Sequence, residues 1–143
     1  ASAPEREAAP TDPPLAPASA CRVLVVEDNA DGARSLAELL SLAGHEVHVA
    51  PDGPSGLEAA RTLLPDAVVL DVGLPGFDGY ELARRLRAEP SLANVLLIAL
   101  SGWAGRDDRA RSLDAGIDHP LVKPAGVSRL GALLATVTPS PRT

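Results

Sequence analysis

Five short apolar runs, each followed by a helix-like segment and four of them ending at a polar residue, constrain this chain more than any other feature. Arg22 to Val26 runs into Glu27-Asp28, Glu46 to Ala50 into Pro51, Ala67 to Leu70 into Asp71, Val95 to Leu100 into Ser101, and Leu121-Val122 into Lys123-Pro124. Between them, apolar residues recur at helical spacing, as in Ala33, Leu36, Ala37, Leu40 and Ala43. Helices are expected over Ala33–Ala43, Pro54–Leu64, Asp78–Ala88, Arg106–Ala115 and Val127–Val137. Gly44, Pro65 and Gly116 act as stops, and Asp78 acts as an N-cap. Strands that are apolar without alternation are buried on both faces, and their regular exchange with helices implies a parallel sheet built from right-handed βαβ units. The fold class is therefore α/β.

The flanks differ from this pattern. Residues 1–20 carry Pro4, Pro10, Pro13, Pro14 and Pro17 among alanines. Such a composition lacks the apolar surface to fold and reads as a linker. The expected organisation is a linker over 1–20, one domain over 21–138 and a short tail over 139–143. The chain begins at Ala1 and has no methionine, which suggests a piece of a longer protein. A net charge of -6 disfavours a nucleic-acid surface. No apolar stretch is long enough to span a bilayer, and no clustered basic run suits a membrane surface. Cys21, the only cysteine, reads as a small buried residue at the foot of the first strand in a protein of the cytoplasm.

In an open α/β sheet, ligands bind beyond the carboxyl ends of the strands. Glu27, Asp28, Asp71, Ser101 and Lys123 all fall there. Clustered carboxylates call for a cation, and oxygen ligands suit Mg²⁺. A magnesium ion can bridge to phosphoryl oxygens, with Lys123 as a second positive charge. The Ser101 hydroxyl and a neighbouring backbone N–H can take another phosphoryl oxygen, and Gly102 leaves room for a close approach. An aspartate can act as nucleophile and form an aspartyl-phosphate. Asp71, at the end of the third strand, is the best placed of the three. His45 and His48 fall on opposite faces of a strand and do not suggest a metal pair. Gly73, Gly76 and Gly79 have the wrong spacing, after the wrong strand, for a dinucleotide loop.

These residues resemble the receiver domains of bacterial two-component systems over about residues 22 to 137. Five loci match in order. They are Leu24-Val25-Val26-Glu27-Asp28-Asn29, then Val69-Leu70-Asp71 with Leu74-Pro75-Gly76-Phe77-Asp78-Gly79, then Ala99-Leu100-Ser101-Gly102, then Ala115-Gly116-Ile117-Asp118, and Leu121-Val122-Lys123-Pro124. The resemblance implies a flavodoxin-like fold with sheet order 2-1-3-4-5 and five helices on both faces; the order is one that general accounts of α/β folds illustrate with a member of this family. It implies Asp71 as phosphoacceptor, and Mg²⁺ or Mn²⁺ bound by Asp28, Asp71 and the Gly73 carbonyl, with Glu27 acting mainly through a water. Ser101 would be the switch hydroxyl, Gly102 would contribute a backbone contact to the phosphoryl group, and Lys123 would pair with that group. The Lys123-Pro124 bond looks like the family's cis peptide.

The implied partner is a histidine kinase or a histidine phosphotransfer domain, with no nucleic acid and no direct membrane contact. Dimerisation on phosphorylation would involve the Arg106–Ala115 helix and its flanking strands. The Ser101-Gly102-Trp103 segment and the ending are most similar to receivers attached to hybrid histidine kinases, and the residues after Pro124 are too few for a DNA-binding output domain.

Three positions depart from the family's pattern. Pro120 stands where an aromatic switch residue is frequent, with His119 before it as a turn residue or a substitute switch. Gly73 and Trp103 stand where residues flank the phosphoryl group, so dephosphorylation is expected to be unusual. A receiver catalyses its own phosphorylation without being a turnover enzyme. The rival readings are a constitutive interaction module, favoured by Pro120, and an aspartate-based phosphohydrolase. Gly73 weakens the second, because such enzymes carry an acid at that position.

Overall fold

A computed structural model describes residues 21–102, 106–123 and 126–137. The expected linker over 1–20, the tail over 139–143, Trp103 and the Lys123-Pro124 bond lie outside the described residues. The elements run β1 (Arg22–Val26), α1 (Ala30–Leu42), β2 (Glu46–Ala50), α2 (Gly53–Leu63), β3 (Ala67–Asp71) and α3 (Gly79–Ala88). A 3₁₀ turn (Pro90–Leu92) follows, then β4 (Leu96–Ser101), α4 (Arg106–Asp114), β5 (His119–Val122) and α5 (Val127–Leu134). The sheet is parallel throughout, in the order β2-β1-β3-β4-β5. This is the predicted flavodoxin-like topology.

The apolar strands divide by parity, because successive side chains point to opposite faces. Leu24, Val26, Val68, Leu70, Leu97 and Ala99 face one core with Leu57, Ala60, Leu82 and Leu86 of α2 and α3. Val23, Val25, Ala67, Val69, Ile98 and Leu100 face the other, with Leu40 of α1 and Leu130 and Leu134 of α5. Each fully buried leucine contributes about 1.5–3 kcal/mol relative to exposure. Cys21 is buried in this second core at the foot of β1.

The helix ends follow local chemistry. Asn29, Asp52 and Asp78 cap α1, α2 and α3, their side chains accepting from the N–H groups of Gly32, Ser55 and Glu81. Gly44, at φ 102°, closes α1 with a Schellman pattern: its N–H donates to the Ser41 carbonyl and the His45 N–H to that of Leu40. At α2, Leu64 takes the left-handed cap conformation at φ 49°, just ahead of Pro65.

Two elements correct the sequence reading. The last strand begins at His119, not Leu121, so His119 and Pro120 pair with Ile98 and Ala99 rather than forming a turn. Proline is tolerated there because β5 is the outermost strand and needs ladder bonds on one side only. The last helix ends at Leu134, short of Val137. The Thr136 hydroxyl and N–H both donate to the Leu133 carbonyl, and this local bonding competes with helix continuation.

Candidate functional site

Parallel pairing carries the ends of β1, β3, β4 and β5 to one rim. The Val72 N–H donates to the Leu100 carbonyl at 3.0 Å, and the Lys123 N–H to the Ser101 carbonyl at 2.7 Å. These bonds extend the ladder one residue beyond the strands and bring Asp71, Ser101 and Lys123 side by side.

At this rim, one carboxylate oxygen from each of Glu27, Asp28 and Asp71 lies within 4.8 Å of the others. Lys123 Nζ sits 3.1 Å from Asp71 Oδ2 and 3.2 Å from Glu27 Oε1. The Asp71 and Glu27 side chains are each only 12% exposed, against 37% for Lys123. The remaining acceptor capacity is partly used: the Asn29 N–H donates to Glu27 Oε2 at 3.1 Å, and the Gly73 N–H to Asp71 Oδ1 at 3.2 Å. Asp28 is exposed.

Two of the three clustered carboxylates, Glu27 and Asp71, thus share one ammonium. At such separations each carboxylate pair repels by about 3–4 kcal/mol at an effective dielectric near 20. The titration behaviour reflects this crowding. Burial pushes the Glu27 carboxyl above its ordinary value, and the Asp71 carboxylate adds to the rise, against the Asn29 N–H and Lys123, which lower it. Burial disfavours the charged Lys123, yet hydrogen bonds to Asp71 and Glu27 outweigh it and hold the ammonium above its usual range. A hard divalent cation fits this donor set of clustered oxygens with an open side at Asp28.

Glu27, Asp28, Asp71 and Lys123, singled out in the sequence, are therefore brought together. Ser101 and Gly102 lie at the same rim, at and just beyond the end of β4. Among the described residues, and leaving out the chain neighbours, no atom lies within 4 Å of where a Cβ on Gly102 would stand, nor of one on Gly73. Gly73 thus leaves open space beside Asp71. His45 and His48 are engaged away from the site: His45 Nδ1 accepts from the Cys21 N–H, and His48 Nε2 meets Glu46 Oε2 at 2.7 Å. The joint Lys123 contact with Glu27 and Asp71 was not legible in the sequence, because 96 positions separate Lys123 from Glu27.

Comparisons with known proteins agree with this geometry. A model of the response regulator receiver domain family matches residues 23–135. The chain is 42% identical over 133 residues to the transcriptional regulatory protein PrrA of Mycobacterium leprae, covering 87% of this chain and 56% of PrrA. It is 35% identical over 117 residues to the response regulator PleD of Caulobacter vibrioides, covering 82% of this chain and 26% of PleD. It thus spans between about a quarter and a little over half of these relatives. Among solved structures, the receiver domain of the sensor histidine kinase PA1611 from Pseudomonas aeruginosa superposes with a TM-score of 0.76 at 32% identity, covering 82% of this chain and 96% of that one. That structure has a magnesium ion coordinated in its active-site cleft.

Proposed function

The chain belongs to the response regulator receiver domain family, a phosphoacceptor module of two-component signalling, and from that premise we propose that Asp71 is its phosphoacceptor. The observation that carries the assignment is Asp71 itself, mostly buried, 3.1 Å from the Lys123 ammonium and clustered with Glu27 and Asp28. Receiver domains take phosphate from histidine kinases. In the proposed reaction, an Asp71 oxygen attacks the phosphorus of a phosphohistidine on a kinase or histidine phosphotransfer domain. A P–O bond forms as the P–N bond breaks. The electron pair stays on the ring nitrogen, and neutral imidazole leaves when the other ring nitrogen carries a proton.

Asp28 and Asp71, the Gly73 carbonyl and, through water, Glu27 would hold Mg²⁺ or Mn²⁺. Such an ion neutralises charge on the transferring oxygens. Lys123 holds Asp71 in place before transfer and pairs with a phosphoryl oxygen after it. The Ser101 hydroxyl and the Gly102 N–H take a further oxygen. These contacts exist only in the phosphorylated state, so they shift a pre-existing population of the neighbouring loops.

Further parts of the reading concern the intact protein. Likeness to the PA1611 receiver supports a parent that carries a histidine kinase. The exposed Leu113 and Val122, at 61% and 43%, support α4 and β5 as the face of phosphorylation-dependent association. No helix among the described residues is long and apolar enough to cross a membrane. Cys21, the one cysteine of the sequence, is buried at the foot of β1 and suits the cytoplasm.

The test is intact mass after incubation with acetyl phosphate and Mg²⁺. One phosphoryl adduct is expected on the wild type, absent without metal and absent in Asp71→Ala. No adduct on folded wild type with two small-molecule donors would transfer the assignment to a constitutive interaction module.

A further inference from the structure

We propose that Gly79 is a positioning residue for phosphoryl acceptance: with no side chain, it lets the first turn of α3 press against the backbone of Asp71 and so sets where the site's oxygens stand. The proposal rests on the phosphoacceptor reading above.

The contact is direct. A Cβ added to Gly79 would lie 2.5 Å from the Asp71 carbonyl oxygen, 2.8 Å from the Val72 Cα and 2.8 Å from Leu70 Cδ1. Two of these three are backbone atoms. In the same contact, the Gly79 N–H donates to the Val72 carbonyl at 2.8 Å. The first turn of α3 therefore touches both peptides that lead from the nucleophile to Gly73.

What must give way if an atom is inserted decides the consequence. Asp71 pairs with Leu100 on β4, and the Val72 N–H is bonded to the Leu100 carbonyl. Leu70 next to it pairs with Val26 on β1. This central strand is held from both sides and cannot retreat. The movable part is α3, whose cap Asp78 ends the loop 72–78. Displacing it strains the Gly79–Val72 bond and shifts the Asp71–Gly73 turn, where Gly73 N–H also holds Asp71 Oδ1. Small displacements of reacting groups are costly because transfer needs aligned atoms.

Gly116 supplies a control of similar steric severity away from the site. It lies at φ +90°, and a Cβ there would meet Arg87 Cγ at 2.7 Å at the opposite end of the sheet. Both Gly79→Ala and Gly116→Ala should lower the melting temperature. Only Gly79→Ala should disturb the site.

The experiment uses Mn²⁺ as the probe, with free Mn²⁺ counted by electron paramagnetic resonance, alongside the rate of acetyl phosphate labelling at saturating metal. Gly79→Ala is expected to lose about tenfold in Mn²⁺ affinity and at least tenfold in labelling rate. Gly116→Ala should match wild type in both, whatever its melting temperature. Equal Mn²⁺ affinity and labelling for Gly79→Ala and Gly116→Ala would overturn the proposal. Should Gly79→Ala fail to fold, Asp78→Ala loosens the same turn by removing its cap without adding atoms. Its Mn²⁺ affinity should fall about threefold, and an unchanged value overturns the proposal. Wild type that neither binds Mn²⁺ nor accepts phosphoryl would instead overturn the phosphoacceptor reading, and this proposal with it.

Discussion

The two rims of the sheet use the same residue types to opposite ends. At the amino rim, Asp66, Asp118 and Glu46 each have donors of their own. Asp66 accepts from the Arg22 N–H, Asp118 from the Leu97 N–H and from Arg87, and Glu46 from Arg22 and His48. Arg87 completes the rim by donating to the carbonyls of Ala93, Val95 and Gly116. At the carboxyl rim, Glu27, Asp28 and Asp71 crowd together, and Glu27 and Asp71 share Lys123. A carboxylate with matched donors caps a strand and adds stability. A cluster short of cations holds repulsion that a metal ion can relieve.

The largest effect that would break this contrast is at the carboxyl rim. Asp28→Asn should cut the acetyl phosphate labelling rate on the order of 100-fold, the scale of losing one charge-stabilising group at a transition state. Urea unfolding of the metal-free protein should change by less than about 0.5 kcal/mol, as for an exposed residue outside the packing. A large loss of stability would mean that the cluster is structural.

Asp118→Ala should do the reverse. It strips the Leu97 N–H and Arg87 of an acceptor and should cost about 1–3 kcal/mol in urea unfolding. Labelling of the folded protein should stay within about twofold, far below the loss expected at the site. A selective loss of labelling would join the two rims into one functional unit.

The pH dependence of stability should differ in sign between the rims. Burial raises the Glu27 carboxyl, so its contribution is present below about pH 4.5, the ordinary value, and is lost as pH rises through the raised one. His48 and Arg22 lower the Glu46 carboxyl, so its contribution is present above that ordinary value and lost as pH falls through the depressed one. Glu27→Gln and Glu46→Gln should therefore alter the slope of stability against pH in opposite directions in metal-free protein. Added Mg²⁺ should reverse the Glu27 effect, because it binds the ionised cluster. Slopes of the same sign would show that the two carboxylates sit in equivalent surroundings.

The smallest effect concerns the link from the site loop to α4. The Arg111 guanidinium lies 4.2 Å from the centroid of the Tyr80 ring and 4.0 Å from the Asp78 carboxylate. Arg111→Ala should destabilise by about 0.5–1 kcal/mol, measured by urea titration, with labelling unchanged.

Much of this was legible beforehand. The strand and helix order, the caps at Asp78 and Gly44 and the rim residues all follow from local patterns. The strand boundary at Leu121 was misplaced because edge pairing, not local propensity, decides whether His119 and Pro120 extend a strand. The length of α5 escaped for a similar reason: Thr136 closes on Leu133 locally, which apolar periodicity up to Val137 does not reveal. The role of Gly79 was also hidden. Its neighbours Asp71 and Val72 are close in sequence, but the contact exists only because the loop between them doubles back.

The sequence by itself determined the parallel α/β class, which residues leave each strand and the chemical types available at the rim, because these are properties of local periodicity and residue identity. Only the tertiary structure decided that Lys123 is shared by Glu27 and Asp71, that Asp118 belongs to Leu97 and Arg87 rather than to the site, and that Gly79 abuts the nucleophile's backbone. Those are distances between separated segments, and they are set by the register of the strands and the packing of helices upon them.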